Sequence, residues 1–387
     1  MGSVGAGRVV IIGGGPAGLG AALGACRGGA REVLVLERSR DPGERRRGET
    51  LRHDAEVEGL LEPGFFDRHT RHRVCKRRYY SPTGRRWVDR EIANPNRIIC
   101  WPDLLTDLAA LARRAGARLL LETEAVGLRL GADGVEAVDW RDQRGAAGSL
   151  AADCVVAADG HAGLIASLLG QDRQEIDFPV RKLLLRGDGW PEDRFDYHLH
   201  VGPPGVAMVG SFFPRGQEEA ELLITGWLSR QARREEQARS LLQAELRSFT
   251  QAHPLLDARL QGAEIVYEAE TWIPMGGLLT PLVPLPRLLI AGDLAGQVQP
   301  RGGSGIVCGI GLGHHAGKLA AATARRGGAF DQRVQQALEH ALADHPLQRQ
   351  LVRQGLLLGR PRQELLAGAA SPAGFDRIWP LVRNLLR

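Results

Sequence analysis

The sequence is short of lysine, of paired cysteines and of long apolar runs. Of its 50 basic residues only Lys76, Lys182 and Lys318 are lysines, so arginine carries almost all of the net charge of +5. An excess of that size and kind reads as a coding bias and not as a nucleic-acid surface. The local clusters at Arg45, Arg46 and Arg47 and over residues 71–78 suit an anionic cofactor or an acidic partner. The five cysteines, Cys26, Cys75, Cys100, Cys154 and Cys308, show no C-x-x-C spacing, which argues against a zinc site or a disulfide framework. They read as buried free thiols. No stretch approaches the roughly 20 apolar residues that a membrane span needs, and no signal peptide precedes the first strand. The expectation is a cytoplasmic protein with no transmembrane segment.

What the chain does have is an ordinary globular composition, 43% hydrophobic and 25% charged, over 387 residues, enough for one to three domains. Its glycines gather at motifs. The apolar run Val9-Val10-Ile11-Ile12 meets Gly13, Gly15 and Gly18, then an Ala- and Leu-rich helical stretch, then Val33-Leu34-Val35-Leu36 ending on Glu37. This is a βαβ unit with an acid placed for a ribose. Gly13 permits the tight turn, Gly15 lets backbone approach a pyrophosphate, and Gly18 lets the helix lie close to the strand. The free N–H groups and the positive end of the helix dipole hold the phosphates, and Glu37 accepts from a ribose diol. A dinucleotide site is the consequence.

Two further strand-then-glycine features lie downstream. Residues 153–158 run into Asp159-Gly160, and residues 287–291 run into Gly292-Asp293, followed by a Gly- and Ala-rich helix from about Gly303 to Arg325. The economical reading is one discontinuous nucleotide domain assembled from all three segments. Between them, alternating runs at 197–201 and 222–226 predict an antiparallel sheet. Helical spacing predicts an exposed amphipathic helix over 230–249 and another over 103–115 with Asp103 as N-cap. After Phe330 the chain reads as helices broken near Pro346 and Pro361, packing over the core or over a neighbouring subunit; the oligomeric state stays open.

Taken together, the three segments resemble the glutathione-reductase-type FAD fold of the para-hydroxybenzoate hydroxylase superfamily. The resemblance implies an α/β fold: a three-segment Rossmann FAD-binding domain (1–75, 97–178 and 278–325), an inserted antiparallel-sheet substrate domain (76–96 and 179–277) and a helical C-terminal region (326–387). It implies that Gly13, Gly15, Gly18, Glu37 and Arg38 hold the adenosine end of FAD. Asp159 and the Gly292-Asp293 pair would meet its middle, and Gly303, Ser304 and Gly305 would lie under the flavin ring. There, backbone N–H groups and the helix dipole stabilise negative charge on the reduced ring. No second glycine motif exists for a nicotinamide domain, so electrons come from NAD(P)H docked over the flavin or from a partner flavin reductase.

Within this superfamily, Arg47-Gly48-Glu49-Thr50-Leu51 resembles the Gly-Glu-Ser/Thr loop of flavin-dependent halogenases and their hydroxylase relatives. That loop lies against FAD, which makes Arg47 a cofactor contact and Glu49 the candidate catalytic residue, as an acid or base or by ordering the loop. His53 shares its neighbourhood. Geranylgeranyl reductases share features with the segment 272–277 but usually carry Pro-Cys-Gly where this chain has Glu49. The halogenase features are a lysine, for which Lys76 stands in place, and a W-x-W-x-I-P motif, whose tryptophan positions are here Ala269 and Thr271, with Trp272 offset. Relatives usually place an arginine where Trp101 stands; Arg97 could serve from another angle. His314 and His315 read as packing or surface residues, and no metal is expected. The resulting expectation is a FAD-dependent monooxygenase that hydroxylates an aromatic small molecule, or tryptophan in a protein or peptide, by activating oxygen at the reduced flavin. The alternatives are a halogenase, a geranylgeranyl-reductase-like reductase of double bonds, and a flavin-fold scaffold without cofactor.

Overall fold

In a computed structural model the described residues are 7–44, 48–170, 178–188, 190–202, 205–228, 238–274, 278–300, 303–326, 330–354 and 371–386. Strands are numbered along the chain. The apolar runs read above form one parallel sheet: β1 (Arg8–Ile12), β2 (Glu32–Leu36), β6 (Arg118–Leu120), β10 (Cys154–Ala157) and β16 (Leu288–Ile290), in the order β16-β10-β1-β2-β6. Val9 pairs with both Cys154 and Val33, and Val155 with Leu288, so the three distant segments do meet in one sheet. Its strands are apolar runs because both faces are covered, one by helices and the other by a small antiparallel sheet.

The helix after the first glycines, α1 (Pro16–Arg27), packs along α8 (Ile306–Arg326) with backbone touching backbone. A Cβ on Gly20 or Gly24 would stand 2.4 and 1.9 Å from the carbonyl oxygens of Ile310 and His314. Reciprocally, one on Gly313 or Gly317 would stand 2.1 and 2.0 Å from those of Ala17 and Ala21. The glycine spacing on both helices is what lets the first and last segments close on each other.

Between β6 and β10 the chain makes a three-stranded antiparallel sheet, β7 (Thr123–Gly131), β8 (Gly134–Asp142) and β9 (Ala147–Ala151). A separate eight-stranded sheet has the order β15-β11-β14-β13-β12-β4-β5-β3. Its members are β3 (Thr50–Leu51), β4 (Thr70–Tyr80), β5 (Trp87–Ile99), β11 (Phe178–Arg186), β12 (Arg194–Val201), β13 (Val206–Gly216), β14 (Glu219–Leu228) and β15 (Glu264–Ile273). β4 and β5 pair as one long antiparallel ribbon. It begins at Thr70 and ends at Ile99, with Val74 fully buried among arginines that hid the alternation.

Alternation gives this sheet two different faces. Leu183, Leu185, Met208, Phe212, Leu222 and Ile224 face α6 (Ala238–Ala252) and α7 (Pro254–Leu260), packing on Leu242, Leu246, Phe249 and Leu256. The intervening residues Val180, Lys182, Tyr197, Phe213, Leu223, Ala269 and Thr271 face the other way. Their registers agree, Lys182 pairing with Leu223 and Ala269, and Val180 with Thr271.

The helix expected over 103–115 is α4 (Trp101–Arg114), and it starts two residues earlier than Asp103. Its N-cap is Cys100, whose side chain makes no capping bond. The C-terminal region is helical, with α9 (Gln332–Ala343), α10 (Pro346–Gln354) and helices at Pro372–Arg377 and Trp379–Leu386. Phe375, Trp379 and Val382 pack on Tyr79, Leu199 and Val201, so the tail covers this chain's own eight-stranded sheet. Among the described residues no helix is long and apolar enough to cross a membrane.

Candidate functional site

One cavity of about 310 Å³ runs from the carboxyl ends of β1, β10 and β16 to the inner face of the eight-stranded sheet. This is where ligands bind open α/β sheets. Gly13, Gly15, Glu37, Arg38, Asp159, Gly292, Asp293, Gly303, Ser304 and Gly305 all line it. Gly18 does not: its missing side chain lets α1 turn off β1, since a Cβ would stand 1.8 Å from the carbonyl oxygen of Gly13. Arg47 lies outside the described residues.

At the nucleotide end Gly13 has φ +101°, and a Cβ there would stand 2.4 Å from the carbonyl oxygen of Ala158. A Cβ on Gly15, by contrast, would meet nothing within 4 Å and would project into the cavity. That open cradle at the N-terminus of α1 is what a diphosphate requires. The Glu37 carboxylate accepts from Gly14 N at 2.7 Å and Ser39 N at 2.8 Å, which aims it at the cavity. Further along, Asp159 Oδ2 accepts from Ile165 N at 3.1 Å, at the start of α5 (Leu164–Leu168). Gly292, with φ +72°, donates its N–H to Gln297 Oε1 at 2.7 Å. Gln297 in turn donates to Gln348 Oε1 at 3.0 Å, so α10 props the turn that carries Asp293. Residues 303–305 then lead into the positive end of the 21-residue α8. The donors, the acid and the glycine cradle fit FAD end to end.

Glu49 is wholly buried and is not among the residues that line the cavity. Its Oε1 accepts from Trp101 N at 3.0 Å, giving α4 the anionic cap that Cys100 lacks. Its Oε2 accepts from the Arg215 guanidinium. Lys182 Nζ lies 3.7 Å from Glu49 Oε2 and 3.4 Å from Glu221 Oε2, and Arg215 Nη1 is 3.5 Å from Glu221. Two carboxylates and two cations thus close a buried quartet in which only Lys182 reaches the cavity wall. Burial pushes the Glu221 carboxyl above its ordinary range, against the pull of Lys182 and with Glu49 adding to the rise.

Other expectations fall differently. Lys76 is exposed, 3.7 Å from Asp193, a solvated strand position away from the cavity. Arg97 is turned aside to Glu58 at 2.9 Å and Asp67 at 3.3 Å and does not line the cavity. Trp101 does line the cavity, as does Trp272. His53 pairs with Glu58 at 2.7 Å and is not part of the wall. His315 bonds the Ala341 carbonyl at 3.0 Å, while His314 is buried on the α1 side of α8. Among the described residues no group of three or more His, Cys, Asp or Glu side chains is placed to hold a metal.

Reading the sequence missed Arg52, Lys182 and Tyr197, which line the cavity beside the sheet. Lys182 carried a signal: it is one of only three lysines and interrupts the apolar strand 178–185.

This chain matches the FAD binding domain family over residues 7–343. It belongs to that family. It is a FAD-dependent oxidoreductase of the group that holds geranylgeranyl reductases, halogenases and hydroxylases. It is 25% identical to digeranylgeranylglycerophospholipid reductase 1 of Methanothermobacter thermautotrophicus, over 98% of this chain and 94% of that protein. Its fold is similar to that of a geranylgeranyl bacteriochlorophyll reductase-like protein from Thermoplasma acidophilum, with a TM-score of 0.79 and 21% identity, covering 97% and 91% of the two chains. The myxobacterial chondrochloren halogenase follows with a TM-score of 0.65 and 14% identity, covering 98% and 91%.

Proposed function

We propose that this flavoenzyme reduces a carbon–carbon double bond in a prenyl-type chain. The observation that carries the reading is the inner face of the eight-stranded sheet. Val180, Phe213, Leu223, Ala269 and Ile273 make an apolar wall opposite the start of α8, with Lys182 set into it. Such a wall suits a hydrocarbon, which gains about 25 cal/mol for each Å² it removes from water. The reductase names among the similar proteins agree with this chemistry.

In this reading Glu37 would hold the adenosine ribose of FAD, the backbone at Gly13 to Gly15 its diphosphate, and Ser304 and Gly305, beside Asp293, its ring. When reduced, FAD supplies a hydride equivalent. The double bond also needs a proton, and the sheet side of the cavity holds one on Lys182 Nζ and one on the Tyr197 hydroxyl. As the π bond breaks, one carbon takes the hydride and the other takes the proton, forming two C–H bonds. Glu49 and Glu221 fix Lys182 Nζ in position, so Glu49 is a positioning residue. The apolar wall excludes water. Electrons reach the cofactor from NAD(P)H or from a partner flavin reductase.

Hydroxylation of an aromatic substrate is the second reading, favoured by one feature. The loop at Gly48-Glu49-Thr50 carries a buried glutamate where the reductases it resembles usually have a cysteine. Mass analysis of candidate substrates after turnover separates the two. A gain of two hydrogens under anaerobic conditions supports reduction; a gain of one oxygen, only in air, overturns it in favour of hydroxylation.

A further inference from the structure

The cations around β4 and β12 are nearly all paired. Arg73 meets Asp67 at 2.6 Å, Arg78 meets Asp89 at 2.6 Å, Arg194 meets Asp196 at 3.0 Å and Lys76 meets Asp193 at 3.7 Å. Arg52 differs. It follows β3, stands on the cavity wall, and has no carboxylate within ion-pair reach among the described residues. The groups that face it are the Arg77 guanidinium and Tyr79 phenol from β4, the Tyr197 phenol from β12 and the Cys308 thiol from α8. None of these is a carboxylate. Arg77 is in the same condition: its Nε is buried without a hydrogen-bond partner, and no carboxylate pairs with it among the described residues.

A half-buried cation with no ion-pair partner is costly, and two side by side more so. Burial first, and the neighbouring Arg77 second, push the Arg52 guanidinium below its ordinary value, yet an arginine stays charged at any physiological pH. The stacked rings of Tyr79 and Tyr197, with centroids 4.7 Å apart, flank the pair on the sheet side. Cys308 lies three residues beyond Gly305, which puts this corner at the ring end of the cavity, away from Glu37 and the nucleotide.

We propose that Arg52, backed by Arg77, receives the anionic head of the substrate, a phosphate or carboxylate, at the ring end of the cavity. A guanidinium presents paired N–H donors that match either oxyanion. The substrate of this enzyme is thereby amphiphilic: an apolar body along Val180, Phe213 and Leu223, and a negative head at Arg52. The inference rests on the functional reading only in taking FAD to fill the nucleotide end.

The experiment uses the FAD-loaded protein, so that inorganic diphosphate cannot occupy the cofactor's own phosphate site. Diphosphate titration, followed by the flavin absorbance spectrum, gives a saturable perturbation in the wild type. Arg52→Leu loses it or weakens it at least tenfold, and Arg52→Lys retains it in part. Comparing geranylgeranyl diphosphate with geranylgeraniol, and indole-3-carboxylate with indole, then shows which skeleton carries the head. At least tenfold tighter binding of one anionic member, lost in Arg52→Leu, is the expected result. No saturable diphosphate effect in the wild type overturns the proposal. So does an Arg52→Leu protein that folds but no longer takes FAD, because the charge then serves the cofactor. A wild type that never takes FAD is a failure of the functional reading instead.

Discussion

Glu49 and Arg215 share a buried, hydrogen-bonded ion pair, and it joins the loop before β3 to the far end of β13. The same carboxylate caps α4 through Trp101 N. One side chain therefore ties three elements together at the back of the cavity. Removing one partner of a buried pair leaves a charge without compensation, at a cost of about 3–5 kcal/mol. Glu49→Ala leaves Lys182 with Glu221, and Arg215 with Glu221 and the half-exposed Glu219. Its denaturant midpoint should fall by an amount of that order. A variant as stable as the parent would show the quartet to be dispensable.

The contact between α1 and α8 makes a second claim about stability. Because a Cβ on Gly24 would stand 1.9 Å from the His314 carbonyl oxygen, Gly24→Val must push the two helices apart. Overpacking costs about 1–3 kcal/mol at ordinary sites, and here the obstacle is backbone. Gly59→Ala is the control, since a Cβ there meets nothing within 4 Å. Thermal melts should separate the two clearly, with Gly24→Val much the lower; equal melting temperatures would contradict the packing.

Much of this fold was legible because local patterns and tertiary structure agree. Residues 9–37 read as strand, helix, strand and acid, and each is found in place, with Glu37 oriented by Gly14 and Ser39 amides. Asp159 and Asp293 were legible for the same reason: each follows an apolar strand that can only be a sheet end. What was hidden is what depends on register. Lys182 and Leu183 are neighbours in sequence but face opposite sides of β11, and only pairing to Leu223 and Ala269 decides which side holds the cavity. The quartet was invisible because Glu49, Lys182, Arg215 and Glu221 lie on separate segments. Asp103 looked like a cap, yet the group that caps α4 comes from Glu49, far back in the chain.

Glu37 yields a prediction about the cofactor. Glu37→Ala removes the ribose acceptor and leaves the Gly14 and Ser39 amides without their partner. Hydrogen bonds to a charged group contribute about 1.5–3 kcal/mol, which corresponds to FAD binding weaker by about ten- to a hundredfold. Equilibrium dialysis of the variant against FAD measures it, and unchanged affinity would mean that the ribose lies elsewhere.

Acid should destabilise the protein through two buried histidines. Burial, helped by His200, lowers His253 to about 4, and burial, helped by Arg27, lowers His314 to about 4. Both values lie below the ordinary 6.5, so the unfolded chain takes up protons first as pH falls. The stability they provide is complete above pH 6.5 and is lost between about pH 6.5 and 4, at up to about 1.4 kcal/mol per pH unit for each group. Urea midpoints measured across that range should fall on acidification, and His253→Phe should flatten the slope. A slope that rises toward acid would contradict the assignment.

Lys182 is the point where the buried quartet meets the chemistry. If it holds the proton for the double bond, Lys182→Met should leave FAD bound but reduce kcat by about a hundredfold, the lower range for loss of acid–base catalysis. A purely structural lysine would give a different pattern. In Lys182→Met the two carboxylates Glu49 and Glu221 are left with Arg215 alone, so stability also falls. Pairing it with Glu221→Gln removes one anion with the cation and should recover much of that stability, as a double-mutant cycle would show. Turnover should not recover with it. If the double variant regains both stability and kcat, Lys182 acts only by balancing charge, and the proton must come from Tyr197 or from water.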